Sequence, residues 1–274
     1  MKKTTNLLLL AVCVALPHAQ LRAQLLTDNF ADGNRTVQAL PNSAAWFAGG
    51  PAANVSVSGG QLLESSIASN NRGFIAYFTD TGSPVTLGIG QSLVLSAQVQ
   101  TQGATGGDAR FQFWAFNSGG SRIAVDNSGF NNAIFNGYTG YGVTNDPVGV
   151  HPSRYQIRER TSGANNLLVN TATLGASTQS VNMTVSLVNV SLTLTRSGAS
   201  EMTLTGSIGG SPIARTDTAG IFTTFDSIGI MTQNDTLTGN LVIANVSVIP
   251  EPTTLALLGA GLGALVALRS RRVA

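Results

Sequence analysis

What this chain lacks narrows its function quickly. Its one cysteine, Cys13, lies close to the start, so everything after it is without thiol, disulfide or cysteine metal site. Both lysines, Lys2 and Lys3, are also at the start. Residues 24–249 hold nine arginines against twelve acids, a net charge of −3, although the whole chain carries a formal +2. The basic balance therefore belongs to the two ends. Nucleic-acid binding needs a clustered basic patch on the folded region, and no nucleic-acid partner is expected. Histidine is equally scarce: His151 is the only one in the central region, and it sits between Val150 and Pro152 as a loop residue would. Glutamate is limited there to Glu64, Glu159 and Glu201, each alone in its segment. Acid–base cleavage of glycans needs two carboxyl groups about 5–10 Å apart, and no local pair supplies them. No convincing amphipathic helix occurs in the central region either.

The two ends read as targeting segments. Lys2 and Lys3 precede an apolar run over residues 7–16, Pro17 breaks it, and small residues follow at Ala19 and Ala23. This order predicts a secretory signal peptide over residues 1–23, cut by signal peptidase after Ala23. The run is too short for a membrane span, which takes about 18 or more apolar residues. Val12 before Cys13 argues against a lipoprotein site. At the other end Pro250, Glu251 and Pro252 are followed by two threonines, an apolar stretch over residues 255–268, and the cations Arg269, Arg271 and Arg272. The arginines form a membrane stop and place that end in the cytoplasm. As a helix the stretch would reach only roughly 22 Å, short of the ~30 Å hydrocarbon core. Transient inner-membrane association suits it better than permanent anchoring; an ordinary C-terminal anchor is the alternative.

This tail, with the run Pro250-Glu251-Pro252-Thr253-Thr254-Leu255-Ala256-Leu257-Leu258-Gly259, resembles the PEP-CTERM sorting signal. The resemblance implies recognition by an exosortase at the inner membrane of a Gram-negative bacterium. It further implies removal of the tail at or near the Pro-Glu-Pro motif and delivery to the outside, in company with exopolysaccharide production. The expected division is a signal peptide over 1–23, a folded domain over 24–249 and a sorting signal over 250–274.

The central region reads as β throughout. Apolar residues alternate at Leu93, Leu95, Ala97, Val99; at Val181, Met183, Val185, Leu187; at Val190, Leu192, Leu194; and at Met202, Leu204, Ile208. Such period-2 patterns put one face on a core and the other in water. Turn clusters at Ser58-Gly59-Gly60, Ser197-Gly198-Ala199 and Gly209-Gly210-Ser211-Pro212 separate the runs. The stretch from Val190 to Arg215 suits three strands and two hairpins. Residues 111–116 carry aromatics on both faces and predict a central strand whose second face is covered or lines a groove. The fold class expected is an all-β, two-sheet antiparallel sandwich. The motifs Asp28-Asn29-Phe30, Val57-Ser58-Gly59-Gly60-Gln61-Leu62, Phe225-Asp226-Ser227-Ile228-Gly229-Ile230 and Ile243-Ala244-Asn245-Val246-Ser247-Val248 resemble concanavalin A-like (laminin G-like) jelly-roll domains. Relatives often carry Asp where this chain has Ala244.

Candidate site residues follow from that frame. Trp114 and Phe116, with Tyr138 and Tyr141 from the Asn/Gly/Ser-rich segment 117–152, are the expected carbohydrate-binding set, because sugar C–H faces stack on aromatic rings. Asp28 and Asp32 are weak candidates for structural calcium, with turn-forming roles the simpler reading; no other cofactor is expected. The Thr-Leu-Thr triplets at 193–195 and 203–205 are expected on neighbouring strands. The function expected is a non-enzymatic cell-surface or matrix protein that binds exopolysaccharide. A polysaccharide-modifying hydrolase or lyase on the same fold and a purely structural coat protein are the alternatives.

Overall fold

The computed structural model describes residues 24–65, 71–105, 110–151, 153–175, 178–233 and 239–251. The signal segment with Ala23, and the tail with Pro252, Arg269, Arg271 and Arg272, lie outside the described residues. In chain order the strands are β1 (Leu26–Asp28), β2 (Trp46–Ala48), β3 (Val55–Ser58), β4 (Gln61–Glu64), β5 (Arg72–Tyr77) and β6 (Val85–Thr86). Next come β7 (Ser92–Gln102), β8 (Arg110–Asn117), β9 (Thr139–Asn145), β10 (Gln156–Arg160), β11 (Thr171–Thr173) and β12 (Val188–Gly198). The series closes with β13 (Glu201–Ile208), β14 (Ser211–Asp217), β15 (Thr224–Phe225), β16 (Ser227–Gln233) and β17 (Asn240–Glu251). Helix among the described residues is limited to short 3-10 turns at Ala52–Asn54, Ser128–Phe130 and Ala133–Gly137.

An eight-stranded sheet runs β14-β13-β12-β7-β17-β4-β3, with β1 also paired to β17; a seven-stranded sheet runs β11-β10-β9-β8-β16-β5-β2. The described pairings are antiparallel. This is the jelly-roll sandwich expected. Its causes are visible strand by strand. In β7 the burial alternates without a break, Leu93, Leu95, Ala97 and Val99 inward and Ser or Gln mostly outward. The hairpins β12–β13 and β13–β14 turn at the Ser-Gly-Ala and Gly-Gly sites, and β3–β4 turns at Gly59-Gly60. The inward faces of both sheets meet in one core that includes Trp46, Phe74, Phe113, Tyr141, Leu192, Ile230 and Ile243.

One predicted strand is absent. Residues 181–187 alternate as a strand should, yet they form no strand, and Val185 is 83 % exposed while Met183 is buried. Isolated backbone bonds and side chains take the ladder's place here: the Met183 N–H donates to the Pro147 carbonyl at 2.8 Å, and the Met183 carbonyl accepts from the Thr101 N–H at 2.9 Å. Asn145 donates from Nδ2 to the Val181 carbonyl at 2.7 Å and accepts from the Val181 N–H at 2.9 Å. The Gln100 amide donates to the Thr184 carbonyl at 3.1 Å. With its backbone satisfied this way, the segment needs no strand partner.

Candidate functional site: a closed sheet face and a sorting junction

The outer face of the seven-stranded sheet carries Trp114 and Phe116 on β8, Met231 on β16, and Ile75 and Tyr77 on β5. Space for the large rings comes from glycines at the facing positions. Gly142 on β9 lies opposite Trp114, and a Cβ there would overlap the indole. On the other flank Gly229 would put a Cβ 2.9 Å from Phe116 Cε2. The two rings therefore lie flat and stack, with centroids 5.2 Å apart and planes 9° from parallel.

The chain then covers this face with its own loops. Ile123, Phe130, Phe135, Tyr138, Leu167 and Leu168 pack over it and make a second buried cluster. Edge-on contacts join Phe116 to Tyr138 and Phe135 to Tyr138. The Tyr77 and Tyr138 hydroxyls are hydrogen-bonded at 2.7 Å, and the Ile123 N–H donates to Tyr77 Oη at 2.9 Å. Burial, eased by the Tyr138 hydroxyl and the Ile123 N–H, pushes the Tyr77 phenol up to about 12. Arg160 on β10 holds the cover from beneath. Fully buried, it donates to the carbonyl oxygens of Phe135, Tyr138, Ala164, Asn166 and Leu167. A guanidinium carries five donors in a fixed fork, which suits it to gather carbonyls from the two covering loops at once. At the rim Arg122 lies 4.6 Å from the Tyr77 ring centroid and meets Asp226 at 3.2 Å. Asp226 also accepts from the Ser118 N–H at 2.9 Å.

This geometry corrects the expected sugar-binding set. Trp114, Phe116, Tyr138 and Tyr141 are each 0 % exposed. The first three belong to the covered layer, whereas Tyr141 points into the main core and donates to Asp217 at 2.5 Å. None offers a ring face to a ligand. A polar loop rich in aromatics looks like a binding loop in sequence; here its rings fold back onto the sheet. Gly140 and Gly142 at alternate positions beside an aromatic strand were the available signal of flat, covered ground.

The calcium candidates are also placed. Asp28 is buried and accepts from the N–H groups of Phe30 (2.9 Å) and Ala44 (3.2 Å) and from the Trp46 indole (2.9 Å). Asp32 is exposed and accepts from the Asn34 N–H at 3.0 Å. Both make i to i+2 side-chain turns, as do Asn29 to Ala31 and Asn34 to Thr36. The turn-forming reading fits their contacts. Among the described residues no three His, Cys, Asp or Glu side chains gather as a metal set.

Glu64 escaped the sequence reading as a site. Its side chain is 1 % exposed, Oε2 accepts from the Gly73 N–H at 2.6 Å, and Oε1 has no partner among the described residues. Gly73 sits at φ +114 with no room for a Cβ, and Gly50 lies directly against Oε1. Burial pushes this carboxyl up to about 7, against the lowering pull of the Gly73 N–H and Arg72. Burial acts upward on nearby Asp126 too, but the Arg35 guanidinium at 2.8 Å and the Ala48 N–H outweigh it and hold Asp126 low.

The second feature is the junction with the tail. β17 pairs with β7 along its length, and the ladder ends with Pro250 opposite Leu93 and Glu251 opposite Ser92. Pro250 is buried and Glu251 exposed. The strand thus runs two residues past the expected domain end at 249, and two of the three Pro-Glu-Pro residues belong to the sheet.

Residues 248–272 match the PEP-CTERM protein-sorting motif. That motif marks an exported protein processed at the membrane by an exosortase. No curated protein matches the sequence. Among solved structures the chain is similar to an endo-1,3-beta-glucanase from Streptomyces sioyaensis, at 14 % identity and TM-score 0.51, covering 84 % of this chain and 96 % of that one. It is also similar to the Emp46p carbohydrate recognition domain in its potassium-bound form, at 11 % identity and TM-score 0.50, covering 74 % of this chain and 88 % of that one. A third, a Bacillus subtilis protein with a galectin-like fold, gives 12 % identity and TM-score 0.48, covering 84 % of this chain and 97 % of that one. The fold is a concanavalin A-like jelly roll; the neighbours include both binding domains and glycan-cleaving enzymes.

Proposed function

We propose that this chain is a non-enzymatic cell-surface or extracellular-matrix protein of a Gram-negative bacterium, sorted by an exosortase and contacting exopolysaccharide through its jelly-roll domain. The observation that carries the reading is the PEP-CTERM match beginning inside the last strand of a sandwich, so that domain and sorting signal are one continuous piece. A non-catalytic role is supported by the placement of the carboxylates. Glu64 is buried, Glu159 stands on β10 and Glu201 opens β13, so no two glutamates share a strand. The outward positions of β8 and β16 hold Gln112, Trp114, Phe116, Ser227, Gly229 and Met231, without an acid among them.

With the aromatic face closed, the surface left for a neutral polymer is the outer face of the eight-stranded sheet. Cross-strand rows such as Ser92–Thr195–Thr203 and Ser96–Ser191–Ser207 place hydroxyls side by side, with Gln98 and Asn189 adding amides. Ser92 meets Thr195 at 2.8 Å, Ser96 meets Ser247 at 2.8 Å and Gln98 meets Asn189 at 3.2 Å. Uncharged hydroxyl and amide groups match the hydrogen-bonding of a polyol chain. The test is capture of the host's own exopolysaccharide, with Thr193→Glu and Thr205→Glu together as the disabling change. Capture lost in that variant supports the reading, and blank capture by the parent protein refutes polysaccharide contact. New reducing ends or unsaturated products from β-glucans or alginate would instead show an enzyme.

A further inference from the structure

A short chain of hydrogen bonds connects the buried Glu64 carboxyl to the cover over the aromatic face. Oε2 of Glu64, on β4 of the eight-stranded sheet, accepts from the Gly73 N–H on β5 of the seven-stranded sheet. The Gly73 carbonyl accepts in turn from the Gly49 N–H at 2.9 Å, and the Gly49 carbonyl accepts from the Gly129 N–H at 2.7 Å. Beside it, the Ala48 N–H donates to Asp126 at 2.8 Å and the Ala48 carbonyl accepts from the Asn127 N–H at 2.9 Å. Phe130 packs its ring on Gly49, which has no room for a Cβ. Glycine backbone thus leads from Glu64 to residues 126–130 of the cover.

The charges that face this carboxyl come from separate segments. Burial pushes it up to about 7; the Gly73 N–H, Arg72 and Arg35 act against burial, and Asp126 acts with it. The neighbours of β4, β3 and β17, place only Val55 and Leu241 opposite Glu64. Arg35 is committed to both Asp126 oxygens and to the Trp46 carbonyl. Arg72 is held more lightly. Its Nη1 donates to the Gly49 carbonyl at 3.0 Å, and its Nε is buried without a partner among the described residues. Gly50 stands between the two groups: a Cβ there would meet both Glu64 Oε1 and Arg72 Cδ. While Glu64 keeps its proton, nothing draws the guanidinium toward Oε1. Once ionised, a buried carboxylate left unpaired is costly, and a charge-assisted bond to Arg72 relieves it.

We propose that Glu64 and Arg72 form a proton-controlled latch on the cover. Protonated Glu64 leaves Arg72 on the Gly49 carbonyl; ionised Glu64 draws Arg72 to Oε1, and the 126–130 segment loses one of the bonds that fix its anchor. The carboxyl holds its proton in acid and releases it as pH rises through neutrality, so the cover is tight in acid and looser above. An exported domain meets the pH outside the cell, and this latch registers it at the edge of the layer that covers Trp114 and Phe116. The inference is independent of polysaccharide contact.

The test is amide hydrogen exchange, read by mass spectrometry on the protein purified from its host and normalised to the unfolded chain at each pH. In the wild type, exchange over residues 126–130 should rise about tenfold from pH 5 to pH 8, the worth of one charge-assisted hydrogen bond. The rise should be insensitive to low urea, the mark of local opening, with β13 as the urea-sensitive reference for global unfolding. Glu64→Gln keeps the protonated geometry and should abolish the rise. Arg72→Gln, which gives the carboxylate no cation to draw, should abolish it too. Loss of the rise in whichever of the two variants folds supports the latch. No rise in the wild type, or a rise that persists in a folded variant, overturns it. A rise that follows urea as β13 does is global unfolding, and overturns it as well.

Discussion

Glu64 lets the packing be read out as a pH dependence. Its carboxyl moves from 4.5 to about 7 in the folded protein, because burial penalises the anion more than the Gly73 N–H and Arg72 favour it. A folded-state value above the unfolded one means that the native protein holds the proton more tightly. The associated stability is fully present below about pH 4.5 and is lost as pH rises through 7. A shift of this size corresponds to about 3 kcal/mol in total, of which about 2.5 kcal/mol disappears between pH 5 and pH 8. Glu64→Gln keeps the shape and the acceptor for Gly73 but cannot ionise. Urea unfolding of both proteins at pH 5 and pH 8 should show the wild type losing about 2.5 kcal/mol more than the variant across that interval. Other titrating groups are shared and cancel in the comparison. Equal losses in the two proteins would refute the assignment of a buried, proton-holding carboxyl.

Three further outcomes follow from the closed face and the first turn. Arg160→Leu strands the carbonyls of Phe135, Tyr138, Ala164 and Leu167 under the cover, and should cost about 3–5 kcal/mol in urea unfolding while increasing dye binding to exposed apolar surface; unchanged stability would show that the cover stands without it. Gly142→Ala forces a methyl into the Trp114 indole and should cost about 1–3 kcal/mol with an altered near-UV circular dichroism spectrum, an unaltered spectrum arguing against the flat stack. Asp28→Ala removes the acceptor for three buried N–H donors, including the Trp46 indole, and should lower stability by about 2–3 kcal/mol at every calcium concentration; rescue of the parent's stability by calcium alone would contradict the turn-forming role.

The frame was readable in the sequence because β7, β12 and β13 obey the simplest rule available: alternate residues face a core. Leu93 to Val99 and Val190 to Leu194 alternate, and the structure buries those positions. The same rule failed at Met183 and Val185, because periodicity reports which way side chains would point and not whether a backbone partner exists. Single backbone bonds from Met183 to Pro147 and Thr101, with the Asn145 and Gln100 side chains, hold the segment instead, which no local pattern announces. The candidate site failed for a related reason. Stacking platforms and core layers use the same residues, and only the long-range return of Phe130, Phe135 and Tyr138 onto β8 decides between them. Glu64 was passed over because an isolated carboxylate has no motif; its character comes from Gly50 and Gly73 closing over it.

The closed face follows from what the chain cannot use. Past Cys13 no disulfide is available, so the sandwich is held by burial and hydrogen bonding rather than by a cross-link. A sheet buried on one side leaves its other face wet, and the seven-stranded sheet bears Trp114, Phe116, Ile75 and Met231 there. Folding residues 118–138 and 161–170 across that face turns one core into two. Glycine opposite each large ring and a single arginine beneath the loop carbonyls make the closure fit. The cost is the face itself, which is no longer free for a ligand. The eight-stranded sheet keeps the opposite compromise: its inner side completes the main core, and its outer side carries short hydroxyl and amide side chains bonded across strands. Its β14 edge is blunted by Pro212, which cannot donate to an added strand. Such a surface resists self-pairing, and its many individually weak donors and acceptors gain strength only along a repeating polymer, where each added unit multiplies the contacts. Contact with polysaccharide through that face is thus compatible with a domain that has committed all its large aromatic rings to holding itself together.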